Sequence, residues 1–209
     1  MARYSKSLFV SLLVIVGVFI IIGVVLIFSG EEDQAEVSVL DFREDDIVYG
    51  NSESDVWVIE YSDFQCPACG VLSVVMKKVR EESGEDIGFV HRNFPLSYHP
   101  MAYLAAEAVE AAGVQGKYIE MHDLIFSNQQ NISEETIMGY AESLDINMAK
   151  FEDDFLNHKF TDQVDRDIDS GKEAGVNATP TLYINGEKFE QLMFDGKDVK
   201  RILDEINSQ

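Results

Sequence analysis

The sequence predicts an α/β domain, helices packed on a small mixed sheet, carried behind one N-terminal apolar helix. Three observations carry this expectation. Apolar runs rich in β-branched and aromatic residues, Val56–Tyr61, Ile87–Phe94 and Thr181–Ile184, have the look of strands. Between the second and third, from Met101 to Ala174, the apolar spacing turns helical. Ahead of all of them, no residue from Ser7 to Gly30 is charged.

The first element is the apolar stretch Leu8–Phe28, which as a helix would be about 31 Å long and enough to cross a bilayer's hydrocarbon layer. Arg3 and Lys6 precede it, and Glu31, Glu32 and Asp33 follow. The positive-inside rule then keeps residues 1–7 in the cytoplasm and places the rest outside. A cleaved signal peptide is the competing reading. Such leaders have shorter apolar regions and a small-x-small cleavage site, which Ile27-Phe28-Ser29 supplies poorly. The expectation is a single-pass anchor in the cell membrane with an extracytoplasmic domain, and export is common to both readings.

All 38 Asp and Glu follow residue 30, so the exported part is even more acidic than the chain's −22. That disfavours nucleic acid and anionic lipid as partners. Residues 29–46 are polar and acid-rich with little periodicity and predict a linker, with the domain running from 47 to 209. Ordered structure is expected to begin near Ile47–Gly50, with the first strand at Val56–Tyr61. Val71, Leu72, Val75, Met76 and Val79 then predict a helix over Val71–Glu82. Ile87–Phe94 is the next strand, stopped by Pro95. Helices follow at Met101–Val114, Lys117–Phe126, Glu134–Leu144 with Ser133 as N-cap, Met148–Leu156 and Asp162–Ala174. Thr181–Ile184, the turn signal Asn185-Gly186 and Lys188–Met193 predict a hairpin, and Val199–Ile206 a closing helix.

The chain has two cysteines, Cys66 and Cys69, two residues apart. A bond between them closes the smallest of loops and stabilises little, so the pair is there to react or to bind metal. Behind a strand and ahead of a helix, Cys66 would be the N-cap and Pro67 the first helical residue. Free N–H groups and the positive dipole end then favour a Cys66 thiolate. Cys69, one turn inside, would be shielded. Half of a zinc site is the rival, but the four histidines, His91, His99, His122 and His158, form no close ligand-like pair in sequence. No metal or other cofactor is expected.

Glu60 lies six residues before Cys66 in an apolar strand. It is either a buried carboxyl able to exchange protons or a solvated residue at the sheet margin. Thr179-Pro180 opens the third run, as an edge-strand trans proline or a cis bond. His99 and Arg92 are assigned structural roles. Asn131-Ile-Ser and Asn177-Ala-Thr match glycosylation acceptors, with no information on function.

Three ordered segments, Glu60-Tyr-Ser-Asp-Phe-Gln-Cys-Pro-Ala-Cys-Gly70, His91-Arg-Asn-Phe-Pro-Leu-Ser-Tyr-His-Pro100 and Ala178-Thr-Pro-Thr-Leu-Tyr-Ile-Asn-Gly186, with support from Gln115–Asp123, make this chain resemble the DsbA-like thiol:disulfide oxidoreductases. Within them it is most similar to the membrane-anchored BdbD type. The resemblance implies a thioredoxin-like mixed sheet with a helical insertion over about 97–175. It implies Cys66 as attacking and Cys69 as resolving thiol, Glu60 as a buried proton carrier, and a cis Thr179-Pro180 bond whose backbone pairs with substrate. Pro67 and Ala68 would tune the site. The strongest oxidants of the family carry His at the position of Ala68, so this pair is expected to be a weaker oxidant. The implied activity is disulfide formation in exported polypeptides, with reoxidation by a membrane quinone-linked thiol oxidase. Reduction or isomerisation is the alternative, and a thioredoxin-fold binding module that keeps its thiols is a non-enzymatic one.

Overall fold

A computed structural model describes residue 40, residues 42–83 and residues 87–209. The expected cytoplasmic segment 1–7, the anchor Leu8–Phe28 and most of the linker lie outside the described residues. Among the described residues no helix is long and apolar enough to cross a membrane.

Five strands form one mixed sheet: β1 (Val48–Gly50), β2 (Trp57–Ser62), β3 (Gly88–Asn93), β4 (Thr181–Ile184) and β5 (Glu187–Lys188), in the order β1-β3-β2-β4-β5. The central β2 pairs parallel with β3 and antiparallel with β4. Helix α1 (Pro67–Ser83) crosses from β2 to β3. Five helices then fill the connection to β4: α2 (Ala102–Gly113), α3 (Tyr118–Ser127), α4 (Glu134–Ser143), α5 (Met148–Leu156) and α6 (Thr161–Glu173). A short 3₁₀ turn, Gln129–Asn131, joins α3 to α4, and α7 (Asp198–Ile206) ends the chain. The fold is thioredoxin-like, a mixed sheet with a helical insertion.

Side-chain alternation on β2 divides the core. Val58 packs with Leu72, Met76 and Val79 of α1 and Ile202 and Ile206 of α7. Ile59 and Tyr61 face the other way, onto Val90, Phe94 and Tyr183, with Ile168 of α6 alongside. Buried on both faces, β2 reads as a nearly continuous apolar run. The insertion has its own apolar interior, from the alanines of α2 to Phe151 and Phe155 of α5, and it closes over Cys66 and Cys69.

Three expectations are corrected. Val71, counted on the apolar face of α1, is half exposed, because the buried stripe runs Cys69, Leu72, Met76, Val79. The Asn185-Gly186 turn forms with both residues at positive φ, as a two-residue hairpin requires. Its second strand, however, spans Glu187–Lys188 rather than reaching Met193. Phe189 N–H still donates to Leu182 O at 2.8 Å, but β4 begins at Thr181, behind a proline with no N–H to give, and offers little further pairing. Finally, the linker does not extend to Asp46. The Asp46 carboxylate accepts from two nitrogens of the buried Arg92 at 2.7 and 3.1 Å, and Arg43 pairs with both Asp46 and Asp167 of α6. Acid-rich composition hid this, since charges that pair across the fold look like solvated ones in sequence.

Candidate redox site

The carbonyl of Cys66 accepts the first helical hydrogen bond of α1, from Gly70 N–H at 3.2 Å. Cys66 is therefore the N-cap, and the exposed Pro67 and half-buried Ala68 begin the helix. The turn into it is built by Asp63. Its Oδ1 accepts from the Gln65 and Cys66 backbone N–H groups at 2.7 and 3.2 Å. Its Oδ2 accepts from Leu96 N–H at 2.7 Å and lies 2.8 Å from His99 Nδ1. His99 thus braces the cysteine turn through Asp63.

The two thiols are free and lie in different surroundings. Cys66 is 8% exposed and Cys69 fully buried. The Cys66 thiol is drawn well below its ordinary pKa, chiefly by the hydrogen bond from Cys69, against partial opposition from burial. The Cys69 backbone N–H, the Thr179 hydroxyl and the Ala68 N–H add to that pull. Burial drives the Cys69 thiol far upward, and its bond to Cys66 reinforces the shift. Across from them, Thr179-Pro180 is cis, and the Thr179 carbonyl accepts from the Cys66 thiol at 3.4 Å. Thr179 is therefore beside Cys66 although 113 residues away.

Glu60 is in the middle of β2, opposite His91 on β3 and Leu182 on β4. Of its two readings from sequence, the buried one is realised: it is 2% exposed. Its Oε1 has no hydrogen-bond partner among the described residues, nor does Ser62 Oγ. Burial pushes the Glu60 carboxyl up to about 7. Next to it the fold makes a histidine pair that sequence spacing does not show. The His91 and His122 rings meet edge to face at 4.8 Å, both buried. Desolvation lowers the pKa of each. His91 Nδ1 is 2.8 Å from Tyr118 Oη, and His122 Nδ1 is 3.0 Å from Asp123, whose carboxylate lies near Lys77 and Arg80. Among the described residues no three His, Cys, Asp or Glu side chains gather as a metal site would require.

Arg92, by contrast, serves the frame: it pairs with Asp46 and donates to Tyr61 Oη at 3.0 Å. Sequence reasoning missed Asp63 and Gln129. Asp63 had a local signal, an Asx-type turn two residues ahead of Gln65. Gln129 had none, for it reaches the site from the insertion, 63 residues beyond Cys66.

A family model described as thioredoxin matches residues 43–205, the whole of this sheet, insertion and cysteine pair. The chain belongs to the thioredoxin family. Among solved structures, this thioredoxin-family chain is similar to alpha-DsbA2 of Wolbachia pipientis, a thiol-disulfide exchange protein. The TM-score is 0.68 at 20% identity, over 77% of this chain and 85% of that one. It is also similar to oxidised BdbD from Bacillus subtilis, at TM-score 0.67 and 24% identity over 78% of this chain and 91% of that one. The DsbA and BdbD likeness read from the motifs thus holds for the fold. A curated relative, the Na(+)/H(+) antiporter NhaA 1 of Salinispora arenicola, is 37% identical over 144 residues, 68% of this chain. This chain spans 22% of that relative's length.

Proposed function

We propose that this chain is a thiol–disulfide oxidoreductase that introduces disulfide bonds into exported polypeptides. The observation that carries the reading is the asymmetry of the pair: Cys66 at a helix N-terminus with a favoured thiolate, Cys69 buried with a disfavoured one. Starting from the oxidised pair, a substrate thiolate attacks Cys66 Sγ. The Cys66–Cys69 bond breaks, a mixed disulfide forms at Cys66, and Cys69 leaves with the electron pair. Cys69 is too deeply buried to stay ionised, and the protonated Glu60 carboxyl supplies its proton. A second substrate thiolate then attacks the substrate sulfur of the mixed disulfide and releases Cys66 as the stabilised thiolate. Two electrons pass from two substrate thiols to the pair, and the Cys66 side holds its charge because the helix end and its neighbours favour it. The backbone at cis Thr179-Pro180, facing Cys66, is the surface on which an extended substrate strand aligns.

In this reading a membrane quinone-linked thiol oxidase takes the two electrons back out. The chain is held at the extracytoplasmic face by Leu8–Phe28, a location supported by the length of that apolar run and the charges flanking it. Antiport is no part of the proposal, since the chain matches under a quarter of the antiporter's length. Reduction or isomerisation is the second reading, favoured by Ala68, which offers the Cys66 sulfur no side-chain donor.

The test is trapping. Cys69→Ser protein, incubated with a reduced polypeptide in oxidising buffer, should accumulate a mixed disulfide at Cys66, while Cys66→Ser should accumulate none. In refolding, the oxidised wild type should form substrate disulfides stoichiometrically and then stop until an oxidant is added. Fast insulin reduction with little oxidation would favour the reductase. No adduct in a folded protein would leave only a binding module.

A further inference from the structure

We propose that Gln129 is a positioning residue for the Cys66–Cys69 pair, through which the helical insertion helps set the redox balance of the site; this rests on the thiol–disulfide reading above. The Gln129 carboxamide Nε2 donates to the carbonyls of Phe64 and of Cys66, both at 2.9 Å. Both acceptors are carbonyls, so the NH₂ end must be the end that faces them. The Cys66 carbonyl already accepts from Gly70 N–H, and its two lone pairs accommodate both donors.

Two consequences follow from that clamp. Phe64 and Cys66 flank Gln65, so holding both carbonyls fixes the turn from which the Cys66 side chain projects towards Thr179. The donors also offset the negative ends of two carbonyl dipoles in the turn that carries Cys66, which favours its thiolate and hence the reduced pair.

Gly70 supplies a second, independent observation. Glycine is the poorest helix former after proline, yet it sits in the first turn of α1, one residue past the motif. A Cβ at this position would overlap Gln129 Oε1 and come within 2.8 Å of its Cδ. The missing side chain is the space through which the carboxamide reaches the two carbonyls. Gln129 itself is held in the 3₁₀ turn between α3 and α4, where Asn131 N–H bonds Asn128 O at 2.9 Å. The far side of the insertion therefore reaches the reacting turn through Gln129, while His99 braces that turn from the insertion's start through Asp63.

The experiment compares the full chain with Gln129→Met, which keeps length and volume without a donor, with Gly70→Ala, and with the double variant. Each is equilibrated in glutathione redox buffers, and Cys66 is titrated by thiolate absorbance. Gln129→Met should move the equilibrium about fivefold towards the disulfide, the size of one net hydrogen bond, and raise the Cys66 midpoint in step. Gly70→Ala, a better helix former that will fold, should shift both in the same direction by evicting the carboxamide. The double variant should shift no further than Gln129→Met alone. Gln129→Met within twofold of wild type on both readouts would overturn the proposal. So would a Gly70→Ala shift that adds in full to Gln129→Met. If the wild-type pair fails to exchange with glutathione, the oxidoreductase reading falls instead, and the Cys66 titration, which needs no exchange, still decides the role of Gln129.

Discussion

At the scale of the residue, Glu60 shows what burial does to one carboxyl. Its folded pKa of about 7 lies above an ordinary 4.5, so protonation is favoured by folding. Below pH 4.5 the group is protonated in both states and costs nothing. As pH rises from 4.5 to about 7, the unfolded chain releases this proton while desolvation makes the folded protein keep it, so stability is lost across that window. Glu60→Gln should therefore match wild type near pH 4.5 and be more stable at pH 8, by on the order of 3 kcal/mol. Denaturant unfolding at the two pH values measures this, and equal stability at pH 8 would mean that Glu60 is solvated. If Glu60 also moves the Cys69 proton, the same variant should slow exchange and flatten its pH dependence around neutrality. The reactive residues were legible because their signals are local: a cysteine pair, a proline at the helix start, a Thr-Pro at a strand start. Gln129 and the His91–His122 pair were not, because their partners lie about 30 to 65 residues away and only the fold brings them together.

At the scale of the element, the strands and helices follow apolar periodicity closely, since most of their stability comes from burying one face. The misreadings fall where pairing rather than burial decides. Strand β5 is short because its partner β4 begins only at Thr181, and 43–46 is fixed because its charges have partners. Arg92 is completely buried, and Asp46 is the carboxylate that answers its charge. Removing one member of a buried pair is far more damaging than removing a surface ion pair. Asp46→Asn should accordingly lower the unfolding free energy by roughly 3 kcal/mol. Urea unfolding checks this, and a midpoint unchanged from wild type would restore the reading of 43–46 as a free linker.

At the scale of the whole molecule, the sheet, α1 and the insertion converge on one turn. The sheet brings Thr179-Pro180 to Cys66, α1 presents the sulfur at its positive end, and the insertion covers Cys69. Ala68 adds no side-chain donor of its own to those from Cys69 and Thr179, so Ala68→His should make the couple more oxidising, by about 30 mV for each 1.4 kcal/mol of added thiolate stabilisation. The direction of net electron flow in the cell follows from this potential together with the electron sink. The central claim, that Cys66 and Cys69 form one working redox couple, is tested most directly by equilibrating the full chain with glutathione. A single two-electron transition with a midpoint roughly between −270 and −120 mV is expected. A folded protein that shows no such transition, or that takes up glutathione at one cysteine without forming the Cys66–Cys69 bond, would contradict it.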